Sequence, residues 1–181
     1  SVFNHSIALY TKPSSGDFVF DSKLPNLGIS IFSQMSGLAN KFSAINLSQG
    51  FPEFDTPEYL KAQLSQYVTQ GANQYSPSSG VPKLQQQIAA LVQRKYKAQI
   101  DGTSQVTVTS GATEALFVAI QTIVREGDDV IVFDPAYDSY QPAIELAGGK
   151  SVHVALAAPD YAINWQTVNQ AITANTRAII I

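Results

Sequence analysis

Strand-like and helix-like patterns alternate along the chain from residue 106 onward. Short apolar or β-branched runs at 106–109, 130–133, 151–156 and 177–181 are separated by stretches with helical periodicity or turn residues. Parallel strands need such crossover connections, and the unbroken apolar run at 130–133 is typical of a strand covered on both faces. The alternation therefore predicts an α/β fold with a mainly parallel sheet and helices on both of its faces.

The residues before this alternation are predicted to form an arm and three helices. Residues 1–23 are mixed and polar, and Pro13-Ser14-Ser15-Gly16 interrupts any period there. Helical patterns follow at 29–44, from 57 to about 70, and at 81–97. Between the first two of these helices, Ile45-Asn46-Leu47 predicts a short strand that ends in a glycine–proline loop.

Composition limits the classes of function. The chain has 181 residues, of which 45% are hydrophobic and 14% charged, and this balance suits a well-cored soluble protein. A net charge of −3 gives no indication of a nucleic-acid partner, and no apolar run approaches the length that spans a membrane. The absence of cysteine excludes disulfides, thiolate catalysis and cysteine-bound zinc. We therefore expect a soluble, cytoplasmic protein.

The turn between the strand at 106–109 and the helix after it predicts an anion site. The chain passes through Ser110-Gly111 directly into an apolar pattern of helical period. Such a turn exposes the free N–H groups of the first helical turn and the positive end of the helix dipole, which together attract phosphate. Gly111, Ala112 and Thr113 are thus predicted to hold a phosphate group, with the Thr113 hydroxyl as a further donor. The alternative is an ordinary connection in which Ser110 caps the helix.

Three side chains follow the strand at 130–133, where ligands bind in open parallel sheets. Tyr137 could stack on a flat cofactor ring beside the phosphate, or it could be a tyrosine at the edge of the domain. Asp134 and Asp138 could act as acids, although an aspartate in this position more often belongs to a turn or a cap.

Other catalytic classes lack their motifs in this sequence. His5 and His153 are far apart and neither has a carboxylate at ligand spacing, so we expect no metal site. Ser110 has no histidine partner in view and no G-x-S-x-G motif surrounds it, which argues against a serine hydrolase. The glycine-rich motifs of dinucleotide-binding and P-loop proteins are also missing.

Five motifs stand in the order and spacing of one protein family. They are Asn46-Leu47-Ser48-Gln49-Gly50-Phe51-Pro52, Asn73-Gln74-Tyr75, Ser110-Gly111-Ala112-Thr113-Glu114-Ala115-Leu116, Gly127-Asp128-Asp129-Val130 and Asp134-Pro135-Ala136-Tyr137-Asp138-Ser139-Tyr140. With them the chain resembles the fold type I, pyridoxal-phosphate-dependent aminotransferases of class I/II, most closely the branch that holds methionine and kynurenine aminotransferases. The resemblance covers nearly the whole chain from about Lys23.

This resemblance implies a domain organisation. Residues 46–181 resemble the first half of the three-layer α/β/α large domain, and residues 1–45 resemble an N-terminal arm with a helix of the small domain. In the family the strand at 106–109 pairs with late strands of the large domain, which lie beyond residue 181. We therefore expect the other three strands to form a parallel trio with 130–133 in the middle. We also expect the chain on its own to be poorly stable or to associate through its bare edge.

The resemblance assigns cofactor contacts to several of these residues. It implies that the cofactor is pyridoxal 5'-phosphate and that the amides of Ala112 and Thr113, next to Gly111, cradle its phosphate. Tyr137 stands in the place of the aromatic residue that stacks on the pyridine ring. Tyr75 resembles the tyrosine that reaches across a homodimer to the phosphate in the neighbouring subunit.

The resemblance also assigns the substrate. It implies that an amino group moves from an amino acid to a 2-oxo acid, with an aromatic, kynurenine-like or sulfur-containing amino acid as donor. Gly50 resembles the glycine whose backbone lines the site near the substrate carboxylate, and Phe32 falls where related enzymes place an aromatic residue against the substrate side chain. A carbon–sulfur lyase of the same fold and a non-catalytic phosphate-binding remnant remain as alternatives.

Part of the family's catalytic apparatus has no counterpart in this sequence. In the family, the strand that ends here in Ile179-Ile180-Ile181 leads into a loop that contains Asn-Pro. The lysine that forms a Schiff base with the cofactor, the acid at the pyridine nitrogen and the arginine for the substrate carboxylate belong to the missing half. None of the lysines present stands in the family's lysine motif. We therefore expect this chain to be the N-terminal portion of an aminotransferase and to be inactive alone.

Overall fold

The computed structural model describes residues 21–50 and 52–181, so the predicted arm lies almost wholly outside the described residues, as does Phe51. The elements are α1 (Ile31–Phe42), α2 (Glu58–Thr69), α3 (Pro82–Tyr96), α4 (Gly102–Gln105), α5 (Gly111–Ile123), β1 (Asp129–Asp134), α6 (Tyr140–Leu146), β2 (Lys150–Ala155), α7 (Trp165–Ala171) and β3 (Thr176–Ile180). The predicted order of helices and strands is confirmed for each of these elements except the short α4, which was not predicted.

The three strands form one parallel sheet in the order β2-β1-β3. Ile131 in the central strand lies opposite Val152 on one side and Ile179 on the other. The predicted parallel trio, with residues 130–133 in the middle, is therefore confirmed. One edge of β3 pairs with β1, and among the described residues no strand pairs with its other edge.

Helices cover both faces of this sheet, which explains why β1 is apolar without alternation. Val130 and Val132 pack on one face against Ile120 of α5 and Ile144 of α6. Ile131 points to the opposite face, where it packs with Val154 and with Val168 of α7. Full burial of each such side chain contributes roughly 1.5–3 kcal/mol. The result is the α/β/α layering that the sequence pattern predicts.

Two predicted strands are absent from the sheet. Residues 106–109 form no strand, although Val106 is extended; the Val108 amide donates instead to the carbonyl of Ser79, in the loop before α3, over 2.9 Å. Residues 45–47 form no strand either. A β-branched run favours extended backbone, but a strand also needs a neighbour to pair with, and propensity does not supply one.

The two helices nearest the start of the described region are poorly covered. Neither α1 nor α2 contains a buried residue, and Met35, Leu38 and Phe42 of α1 are exposed.

Within residues 21–50 and 52–181, no helix combines the length and the apolar character needed to cross a membrane.

Asp128 ties the beginning of β1 to β3 at the end of the sheet opposite the candidate site. Its carboxylate accepts hydrogen bonds from the Arg177 Nε–H and the Arg125 amide, each over 2.9 Å, and only 15% of its side chain is exposed. The hydrogen bond from Arg177, followed by the one from the Arg125 amide, lowers the pKa of Asp128. The negative charge of this carboxylate therefore stabilises the sheet.

Replacing Asp128 by asparagine in the complete protein should lower the free energy of unfolding at pH 7 and reduce its dependence on acid pH. Because the pKa of Asp128 is lower in the folded chain than in the unfolded chain, its contribution is complete above about pH 4 and is lost as the pH falls further. Urea unfolding of both proteins at pH 7 and pH 3 measures this, with Asp160→Asn as the control at an exposed aspartate. A difference between wild type and variant that is the same at both pH values would contradict the assignment.

Candidate functional site

Helix α5 begins without the side-chain cap that the alternative interpretation of this turn requires. The Ser110 side chain makes no hydrogen bond to the first turn of the helix. Instead, the Ser110 amide donates to the carboxylate of Glu114. The hydrogen bonds of the described residues thus leave the amides of Ala112 and Thr113 without a side-chain partner. These are the two amides that the family resemblance assigns to the phosphate.

Gly111 sets the direction in which the chain enters this helix. Its φ of +86° lies in the left-handed region, which side chains with a Cβ atom rarely adopt. The Gly111 amide donates to the Thr109 carbonyl over 2.9 Å, and the Thr109 hydroxyl donates to the Gly111 carbonyl over 3.0 Å. A Cβ built on Gly111 would meet no atom within 4 Å, so the backbone angle, and not crowding, requires glycine here.

Tyr137 lies in the loop between β1 and α6, past the carboxyl end of the central strand. Its side chain is 49% exposed, and its ring packs edge-on against Tyr140 with 5.9 Å between the ring centroids. It lines a cavity of about 390 Å³ together with Asp134, Asp138 and His153. The ring is therefore held on one side and accessible on another, as a stacking residue must be.

A second cavity, of about 420 Å³, links the start of α5 to the same loop. Thr113 lies on one side of it and Asp138 on the other, and most of the remaining wall is apolar. Because Asp138 also lines the cavity of Tyr137, the two cavities adjoin at this residue. The structure thus places Thr113 and Tyr137 on two adjoining cavities, whereas Gly111 and Ala112 line neither of them.

The pairing of Asp134 with His153 was missed in the sequence. The His153 Nδ1 atom lies 3.0 Å from each carboxylate oxygen of Asp134. His153 comes nineteen positions after Asp134 in the chain. The two residues nevertheless lie on the neighbouring strands β1 and β2, and the parallel pairing of these strands brings them together. Among the described residues no group of three or more metal-ligating side chains is present, so the pair is not part of a metal cluster.

The predicted dimer and substrate residues lie apart from these cavities. Tyr75 is fully exposed in the loop between α2 and α3. Gly50 is exposed, and a Cβ atom on it would meet no other atom within 4 Å. Phe32 is half-buried on α1. The single chain therefore does not bring Tyr75, Gly50 or Phe32 to the start of α5.

Asn46 nevertheless links the two elements that carry Phe32 and Gly50. Its Nδ2 atom donates to the Ser36 hydroxyl on α1 over 3.0 Å. Its Oδ1 atom accepts hydrogen bonds from the amide and the hydroxyl of Ser48, at 3.1 Å and 2.6 Å. The loop at 46–50 is thus fastened to α1.

Gln85 on α3 is a second residue that sequence reasoning missed. It is the buried polar side chain of the described residues, with 3% of its surface exposed. It lies three residues before Ile88 and seven before Val92, and this spacing places it on the same face of the helix as these two apolar residues. A polar residue within an apolar helical stripe was therefore the signal that could have identified it.

Comparison with known proteins gives one consistent result. The sequence model of the family "Aminotransferase class I and II" matches residues 43–181. Methionine aminotransferase of Escherichia coli is 52% identical over 88% of this chain and 42% of its own length. Human kynurenine–oxoglutarate transaminase 3 is 33% identical over 91% of this chain and 38% of its own length.

A solved structure gives the same likeness in three dimensions. The crystal structure of YbdL from Escherichia coli, which its report identifies as a methionine aminotransferase, matches this chain with a TM-score of 0.86 and 51% identity. The match covers 90% of this chain and 43% of the YbdL chain. The chain thus spans less than half the length of the proteins it matches.

Proposed function

Because the chain belongs to the class I and II aminotransferases, we propose that the complete protein moves an amino group from an amino acid to a 2-oxo acid with pyridoxal 5'-phosphate. The family resemblance that the five motifs indicate is confirmed. Since these residues correspond to 42% of methionine aminotransferase of Escherichia coli, the activity of the whole protein is an inference from its family. We assign residues 46–181 to the cofactor-binding domain and residues 1–45 to the arm and the small domain.

The uncapped start of α5 is the observation that carries the proposal. The amides of Ala112 and Thr113 lack a side-chain cap, as a phosphate site requires, and the Thr113 side chain borders a cavity. The open space around Gly111 leaves room for the phosphate oxygens to approach the backbone. The residues present therefore fit the phosphate of the cofactor, and the thirteen-residue helix adds its dipole to the binding.

Tyr137 supports the other part of this assignment, the contact with the ring of the cofactor. Its packing against Tyr140 limits the rotation of its ring, and the cavity beside it gives a flat ligand room to stack. When bound, pyridoxal phosphate supplies the electron sink for reactions at the α-carbon of an amino acid. The residues of this chain hold and orient it, whereas the lysine and the arginine of the family's mechanism match no motif in these residues.

The substrate assignment rests on Phe32, on Gly50 and on the relatives. Asn46 fastens the loop of Gly50 to the helix of Phe32, so the two can act as one wall of a substrate site. The named relatives act on methionine and on kynurenine. We therefore propose methionine, an aromatic amino acid or a kynurenine-like amino acid as the amino donor.

Tyr75 fits a role between subunits. Tyr75 is fully exposed in a polar loop, so contacts with the described residues do not account for an aromatic side chain there. We propose that it reaches the cofactor phosphate of a second subunit in a homodimer. If sedimentation showed that the complete protein is a monomer, and an assay showed that this monomer is fully active, this part of the proposal would be wrong.

Transfer of labelled nitrogen tests the function directly. The complete protein, loaded with pyridoxal phosphate, should move ¹⁵N from labelled methionine, phenylalanine or kynurenine to an added 2-oxo acid, as measured by mass spectrometry. The 181-residue chain alone serves as the control and should transfer none, because none of its lysines stands in the family's lysine motif. Release of a thiol and a 2-oxo acid without transfer of ¹⁵N would indicate a lyase and overturn the proposal.

A further inference from the structure

Gln85 uses both hydrogens of its side-chain amide on backbone carbonyls. Its Nε2 atom donates to the Ser79 carbonyl over 3.1 Å and to the Val106 carbonyl over 2.8 Å. Because both partners are acceptors, the nitrogen and not the oxygen of the amide must face them, which fixes the orientation of the group. A side chain that is 3% exposed and satisfied in this way has a specific structural task.

The two carbonyls lie on segments that lead to different predicted contacts of the phosphate. Ser79 lies in the loop that carries Tyr75, and Val106 begins the segment that leads into the first turn of α5. The same segments also touch directly, because the Val108 amide donates to the Ser79 carbonyl. A Cβ atom on Gly80, whose φ is +115°, would lie 2.6 Å from the Val108 side chain, so their approach is as close as glycine allows.

This junction compensates for the absence of strand pairing. Residues 106–109 have no place in the described sheet, yet they determine where Gly111 and the first turn of α5 stand. Among the described residues, two hydrogen bonds join 106–109 to α3 and the loop before it: Gln85 donates to the Val106 carbonyl, and the Val108 amide donates to the Ser79 carbonyl. Packing of Ile120 on the sheet holds the body of α5, and this contact holds the segment that enters its first turn.

We infer that Gln85 is a positioning residue for the phosphate site, joining the Tyr75 loop to the segment that places the amides of Ala112 and Thr113. The inference rests on the proposed function, since it concerns how that site is held. Gln85 does not touch the cofactor. It acts by donating to the Ser79 carbonyl, which the Val108 amide also binds, and to the Val106 carbonyl, which would otherwise lose this donor at a partly buried position.

The test compares ligands with and without a phosphate group. Dissociation constants of the complete protein are measured for pyridoxal phosphate and for pyridoxal in wild type and in Gln85→Met, which has a similar length but no donor. We expect the preference for pyridoxal phosphate over pyridoxal to fall by about tenfold or more in this variant. Gln87→Met, an exposed position on the same helix, is the matched control and should keep the wild-type preference.

Gln85→Arg supplies a rescue, because a guanidinium group also donates to carbonyls, and it should restore most of the preference. A folded Gln85→Met protein with the wild-type preference would overturn the inference. If that variant does not fold, Gln85→Asn, which is one methylene shorter, takes its place. If neither folds, Gln85 serves the fold as a whole and the inference is wrong. A wild-type protein without any preference for pyridoxal phosphate would instead refute the proposed phosphate site itself.

Discussion

Replacing Gly111 by valine should weaken the binding of pyridoxal phosphate to the complete protein by about ten- to thirtyfold, which corresponds to about 1.4–2 kcal/mol. The φ of +86° at this position costs a residue with a Cβ atom about 1–2 kcal/mol, and a β-branched residue is a still poorer fit. The first turn of α5 should relax to relieve the strain. The amides of Ala112 and Thr113 would then leave the positions in which they face the phosphate.

Gly127 offers a matched control for this experiment. Its φ is +84° and a Cβ atom on it would also meet nothing within 4 Å, but it lies in the turn before β1, at the opposite end of the strand from Tyr137. Gly127→Val should therefore cost similar stability without loss of cofactor affinity. Equilibrium dialysis and thermal unfolding separate the two effects. Equal losses of affinity in both variants, or none in Gly111→Val, would count against the proposed site.

The layered core is predictable because the residues of one strand are apolar on both of its faces. At 130–133 each successive residue is apolar, and the structure buries Val130 and Val132 under α5 and α6, and Ile131 under α7. The turn at Gly111 was also predictable, since glycine between a β-branched run and a helical period favours such an entry. Local pattern and tertiary packing agree at both places.

The sequence does not predict contacts that depend on a partner far along the chain. The β-branched run at 106–109 predicts a strand, but no neighbour in the described sheet pairs with it. The pair of Asp134 and His153 arises only when β1 and β2 lie in parallel register. Gln85 bonds to Val106, twenty-one residues away, and no local pattern gives that distance. Roles for Tyr75, Gly50 and Phe32 likewise remain predictions.

The 181-residue chain, expressed without further sequence, should associate with itself. Among the described residues, many large apolar side chains lie open to solvent; Leu47 is 90% exposed and Ile181 is 85% exposed. Apolar surface that the chain itself does not cover favours association.

The outer edge of β3 is the route we expect this association to take. Within the part of the chain that the structure describes, Thr176–Ile180 pairs with β1 on one side only, which leaves amides and carbonyls of a largely apolar strand available to another chain. Sedimentation should find oligomers, and thermal unfolding should be broad. A lysine next to an edge strand opposes pairing, so Ile181→Lys should shift the chain toward monomer, while Leu47→Lys, at an equally exposed position away from the sheet, should not. If only Leu47→Lys gave monomers, association would run through the apolar surface beside α1 and the argument from the strand edge would fail.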